Sequence, residues 1–117
     1  MNKLRIKRVY EPRSSDDGQC ILVDRIWPRG LSKESLHDVL WLQDIAPSTE
    51  LRKWFDHRPE RWEEFRKRYG VELGRNAEPV ALLRSMSKRG PVTLLYSARD
   101  MQRNQALALA QYLAAHP

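Results

Sequence analysis

Residues 20–30 read Cys20-Ile21-Leu22-Val23-Asp24-Arg25-Ile26-Trp27-Pro28-Arg29-Gly30. The first four are a continuous apolar run, as expected of a short strand buried on both faces. Pro28 and Gly30 stop any regular element, so the strand empties into a loop carrying an acid, two arginines and a tryptophan. A second buried run, Val92-Thr93-Leu94-Leu95-Tyr96, lies far downstream, and the pattern between the two is helical. Strands without alternation, separated by helices, are the signature of a parallel sheet covered by helices. The expected fold is therefore α/β: one compact domain over residues 1–117, with a small, mostly parallel three-stranded sheet and about five helices.

Upstream, Lys3 to Tyr10 alternates, with Leu4, Ile6 and Val9 apolar among Lys3, Arg5, Lys7 and Arg8. That predicts the third strand, ended by Glu11-Pro12. Ser14-Ser15-Asp16-Asp17-Gly18 is a turn cluster. Downstream, Ser32 is placed to cap a helix carrying Leu36, Val39 and Leu40 on one face. Ala46-Pro47-Ser48 breaks the chain before a short helix with Leu51, Trp54 and Phe55 as its stripe. Pro59 suits a first helical position. Trp62, Phe65, Tyr69 and Leu73 then recur at helical spacing, backed by the charge pairs Glu63–Lys67 and Glu64–Arg68. A further helix from Pro79 to Lys88 would bury Val80, Leu83 and either Met86 or Ser87. Gly90 in a left-handed cap and Pro91 would end it. Ala106, Leu109, Ala110 and Leu113 form the face of a last helix.

Composition bounds the function. With 117 residues, 41% of them apolar, the chain can bury a real core. Cys20 is the only cysteine, so no intrachain disulfide forms. Cys20, His37, His57 and His116 lack paired-ligand spacing, so neither a metal nor another cofactor is expected. No apolar stretch approaches the roughly 20 residues of a membrane span. Met1-Asn2-Lys3-Leu4-Arg5 lacks the apolar core of a secretory signal, so the cytoplasm is the expected location. The net charge is +6, and 15 of the 21 basic residues are arginine. Arginine forks match phosphate and carboxylate geometry, which favours an anionic partner. No run of five like charges occurs. Nucleic acid is therefore a partner only if folding gathers separated arginines onto one face.

In open parallel sheets, sites form beyond the carboxyl ends of the strands. Tyr10 and Arg13 follow the first strand, Asp24 to Gly30 the second, and Ser97-Ala98-Arg99-Asp100 with Asn104 the third. If the second and third strands are parallel neighbours, their loops meet. Arg25 and Arg29 would clamp an anion, with Trp27 stacking on a ring. Tyr96 and Asn104 would orient the ligand, and Asp24, Asp100 or His57 would act as acid or base. Each has a plain alternative. Asp24 and Arg25 would pair internally, Trp27 and Tyr96 would pack in the core, and Asp100 would cap the last helix. His57 would be a capping or packing residue, and Asn104 a surface residue. Cys20 reads as an inert core thiol.

The stretch Leu22-Val23-Asp24-Arg25-Ile26-Trp27-Pro28-Arg29-Gly30 resembles the hallmark of the bacterial DUF488 family in its short, YeaO-like form. Residues 46–55, Arg61 to Tyr69, and Val92 to Asp100 with Asn104 and Ala106 match in order, so the resemblance covers nearly the whole chain. It implies a compact α/β domain and no particular reaction. Longer relatives carry a Cys-His-Arg cluster where this chain has Arg103-Asn104-Gln105, so thiol or metal chemistry does not carry over. Three functions follow. The first is a small enzyme or binder of a phosphate- or nucleotide-like anion at the strand ends. The others are a nucleic-acid-binding accessory protein and a protein-interaction module without activity. The oligomeric state stays open.

Overall fold

The computed structural model describes residues 4–116. Its centre is a four-stranded, all-parallel sheet of β1 (Leu4–Arg8), β2 (Gln19–Leu22), β3 (Leu40–Trp41) and β4 (Val92–Tyr96). The spatial order is β1-β4-β2-β3. Four helices follow: α1 (Thr49–Phe55), α2 (Trp62–Gly74), α3 (Ala77–Arg89) and α4 (Gln105–Ala115). Of the expected first strand, Lys3 lies outside the described residues, and pairing stops at Arg8, before Tyr10.

Period two sorts the side chains of β2 and β4 to opposite faces. Ile21, Val23, Val92, Leu94 and Tyr96 point into the larger core, together with the inward stripes of all four helices. Cys20, Leu22 and Leu95 point the other way, where no α-helix lies among the described residues. That face is covered by Trp27, Leu31, Leu36, Val39 and Trp41, all from the segment between β2 and α1.

This covering segment is where the expected fold needs correction. Three strands and about five helices become four strands and four helices, because the helix expected after Ser32 does not form. Ser32 does cap, accepting from the Ser35 N–H through its hydroxyl at 3.1 Å, but only a 3-10 turn follows (Glu34–Leu36). Val39, Leu40 and Trp41 then alternate in, out, in. Val39 and Trp41 pack on the second cluster, while Leu40 faces solvent. An open sheet edge beside β2 turns that alternation into a fourth strand.

Smaller departures have local causes. Gly90 is extended (φ 172°) and not left-handed, so α3 ends without the expected cap geometry. Glu63 pairs with Arg66 instead of Lys67, whereas Glu64–Arg68 forms as expected. Gly18 is required. Its φ is +65°, and a Cβ there would sit 2.2 Å from the Pro91 carbonyl oxygen. That close approach lets the Gln19 N–H reach the same oxygen at 3.0 Å and begin the β2–β4 pairing.

Candidate functional site

Because β2 and β4 are parallel neighbours, the chain leaves both at the same end of the sheet. Asp24 and Ser97 meet there. The Asp24 Oδ2 accepts from the Ser97 N–H at 3.1 Å and from its hydroxyl at 2.5 Å. Its Oδ1 accepts from the side-chain amide of Gln105 at the start of α4. Asp24 is 6% exposed. Burial raises its pKa above the ordinary carboxylate value; the Ser97 and Gln105 bonds, and the nearby Arg52, oppose the shift. A buried carboxylate held by neutral donors is an anchor that ties the ends of two strands and a helix together.

Arg25 is also an anchor. Its Nε donates to the Pro47 carbonyl at 2.9 Å and its Nη2 to that of Ala46 at 3.0 Å. The 45–48 segment is in turn held by α2. The Tyr69 hydroxyl donates to the Ile45 carbonyl at 2.7 Å, and Glu72 accepts from the N–H and hydroxyl of Ser48. Trp27 donates to the Leu31 carbonyl at 2.6 Å and meets Trp41 edge-on, centroids 5.2 Å apart. It therefore roofs the second core.

Around these anchors lies a cavity of about 1030 Å³. Its polar lining is dominated by Arg8, Arg25, Arg29, Arg52, Arg99 and Arg103, against two carboxylates, Asp24 and Asp100. Phe55, Phe65 and Ile26 supply apolar surface. Three of the six arginines are committed. Arg8 donates through Nε to the Ser97 and Ala98 carbonyls, Arg25 is spent as above, and Arg103 pairs with Asp100 at 3.4 Å. Among the described residues, the side chains of Arg29, Arg52 and Arg99 make no hydrogen bond or ion pair, and all three are exposed.

The remaining expected site residues divide. His57 lines the cavity, exposed, in a left-handed conformation (φ +54°) next to a left-handed Asp56. Asp100 does not cap the last helix, which starts later, at Gln105. It closes the preceding turn by accepting from the Gln102 and Arg103 N–H groups at 2.9 and 3.1 Å. Those bonds and Arg103 hold its pKa below the ordinary value, the wrong direction for a proton donor near neutrality. The cap is Asn104. Its Oδ1 accepts from the Leu107 N–H and its Nδ2 donates to the Asp100 carbonyl. Asn104 is 1% exposed, so neither a surface residue nor a free hydrogen-bonding arm. Tyr96 is also 1% exposed, belongs to the larger core and does not line the cavity. Tyr10 does line it, its hydroxyl donating to the Arg29 carbonyl at 2.8 Å. Arg13 turns away to Asp38.

Sequence reasoning missed Arg8, Arg52, Arg103 and Gln105. Arg8 ends β1, so the strand-end rule applied to that strand reaches it. Nothing local marks Arg52 on an amphipathic helix. Among the described residues, no group of three or more His, Cys, Asp and Glu is placed to hold a metal ion. Nor is any helix among them long and apolar enough to cross a membrane.

A family described as the inactive DUF488-N3 subclade matches residues 3–116. Uncharacterized protein Rv3073c of Mycobacterium tuberculosis (strain ATCC 25618 / H37Rv) is 46% identical over 111 residues, covering 95% of this chain and 93% of the relative. Uncharacterized protein YeaO of Escherichia coli (strain K12) is 44% identical over 110 residues, covering 94% and 96%. No solved structure matches.

Proposed function

This chain belongs to the DUF488 family, in the subclade described as inactive, and from that premise we propose that it binds a small phosphate- or nucleotide-like anion in the strand-end cavity without turning it over. The observation that carries the reading is the set of three exposed arginines, Arg29, Arg52 and Arg99, that line one cavity and make no side-chain hydrogen bond or ion pair among the described residues. Six arginines against two carboxylates leave a net positive field that a polyanion relieves. Arginine's planar fork suits phosphate oxygens. The apolar surface of Phe55, Phe65 and Ile26 suits an attached ring or chain. The volume lies just above the roughly 300–1,000 Å³ common for small-molecule sites.

Two features favour binding over catalysis. Arg103-Asn104-Gln105, which stand where the resemblance places a Cys-His-Arg cluster in longer relatives, line this cavity. Their side chains are spent on Asp100, a helix cap and Asp24. Cys20 is buried in β2 and is not part of the lining. A nucleic-acid surface is less favoured. Arg66 and Arg68 pair with Glu63 and Glu64, Arg58 pairs with Asp56, and Arg61 and Arg68 each lie over the Trp54 ring, 5.1 and 4.2 Å from its centroid. None of these arginines lines the cavity.

The test is calorimetric titration of the full chain with inorganic phosphate and with nucleoside mono- and diphosphates, alongside Arg29→Ala and Arg52→Ala. Saturable binding, weakened by roughly tenfold in either variant while the bound molecule is recovered unaltered, is expected. Binding that ignores both variants would overturn the site, and chemical conversion of the ligand would overturn the non-catalytic reading.

A further inference from the structure

A second concavity, of about 540 Å³, lies where the carboxyl end of α2 meets α3 and α4. It shares no lining residue with the arginine-rich cavity. Leu73, Ala77, Val80 and Ala81 make one side of it apolar. Arg84 and Lys88 also line it, four residues apart on α3 and therefore on one face. No carboxylate lines it, and among the described residues neither cation has an ion pair. The Nε of Arg84 is buried with no hydrogen-bond partner among the described residues. A buried N–H of a charged group left unpaired is costly, and native interiors seldom leave one so. Across the groove, a Cβ on Gly74 would approach the Tyr112 hydroxyl no closer than 3.8 Å, an ordinary contact. Neither sterics nor a positive φ demands glycine there. The missing side chain leaves the groove open.

The geometry points to a binding site for a small carboxylate bearing a short aliphatic chain. Arg84 lines the groove, and the outer N–H groups of its guanidinium offer the fork that a carboxylate accepts. Lys88 adds a second positive charge one turn away. Leu73 and Val80 receive the chain, whose burial adds to affinity with each methylene. This inference does not rest on the anion reading of the other cavity.

Hexanoate titrated into the full chain, followed by backbone amide shifts, tests it. Saturable shifts are expected at Gly74, Ala77, Arg84 and Lys88. Affinity should drop roughly tenfold or more in Arg84→Gln and by a smaller factor in Lys88→Gln. It should be unchanged in Arg29→Ala, and acetate, lacking the chain, should bind at least roughly tenfold more weakly. Lys88 is exposed, so its variant keeps the fold even if Arg84→Gln does not. Shifts that fail to saturate, that persist at full strength in Lys88→Gln, or that appear at the strand-end cavity instead would overturn the proposal. So would inorganic phosphate binding these residues more tightly than hexanoate.

Discussion

Two buried carboxylates stand at the two ends of β2, and the molecule treats them in opposite ways. Asp17, two residues before the strand, is 5% exposed; Asp24, two residues after it, is 6% exposed. Asp17 accepts from the Lys7 ammonium at 2.7 Å and from the Ser14 N–H at 2.8 Å, within a capping box. The Lys7 bond foremost, then that of Ser14, holds its pKa below the ordinary value. Asp24 has only neutral donors, and burial moves its pKa the other way. At the amino end a cation meets its carboxylate and the charge is settled inside the scaffold. At the carboxyl end several arginines surround a carboxylate already occupied by Ser97 and Gln105. Of these, Arg29, Arg52 and Arg99 make no side-chain hydrogen bond or ion pair among the described residues.

The largest effect that would sharpen this contrast is at Asp24. Asp24→Ala orphans the Ser97 N–H, the Ser97 hydroxyl and the Gln105 amide at once, and should cost roughly 2–4 kcal/mol in denaturant unfolding. Asp24→Asn keeps an acceptor for Ser97, and a flipped Gln105 can accept from the new amide, so the loss should be much smaller. Equal losses in the two variants would mean that the negative charge matters more than the hydrogen bonds.

Next is the opposite pH response of the pair. A lowered pKa in the folded state gives Asp17 a contribution that is full above its ordinary value of 3.8 and lost as pH falls through the folded value. A raised one gives Asp24 a contribution that is full below 3.8 and lost as pH rises through its folded value. Melting temperature measured from acid to neutral pH should show Asp17→Asn removing part of the acid-side loss. That variant should also lower stability at pH 7 by roughly 1.5–3 kcal/mol, the usual worth of hydrogen bonds to a charged group. Asp24→Asn should flatten the decline above 3.8. The same slope change in both variants would break the comparison.

The smallest expected effect on stability is at the free arginines. Arg29→Ala, Arg52→Ala and Arg99→Ala remove exposed side chains that make no hydrogen bond or ion pair among the described residues, and each should shift unfolding by no more than about 0.5 kcal/mol. A larger loss in thermal melts would show that these residues belong to the scaffold.

Several parts of this picture were legible residue by residue. The run at 20–23 and its twin at 92–96 announced buried strands, and the loops beyond them supplied Asp24, Arg25, Arg29 and Arg99. The helix stripe from Trp62 to Leu73 formed as spaced, with Phe65, Tyr69 and Leu73 buried. The 36–41 stretch misled because Leu36, Val39 and Leu40 fit one helical face. Only a neighbouring strand edge reveals the period-two pattern of Val39 and Trp41. Asn104 and Asp100 exchanged roles because helix starts are set by which side chain reaches which free N–H, and both residues cap well.

By itself the sequence determined three of the four strands, three of the helices nearly to their ends, and the loops that would crowd the carboxyl end of the sheet. Those follow from local periodicity and from turn residues that act within a few positions of themselves. Only the tertiary structure decided which charges are spent and which are free. Asp24 finds its donors 73 and 81 residues away, Arg25 its acceptors 21 and 22 away, and Arg8 its acceptors 89 and 90 away. Arg29, Arg52 and Arg99 look no different from these in the chain. They differ only because no carbonyl or carboxylate from another element reaches them, and that depends on where separate elements come to rest against one another.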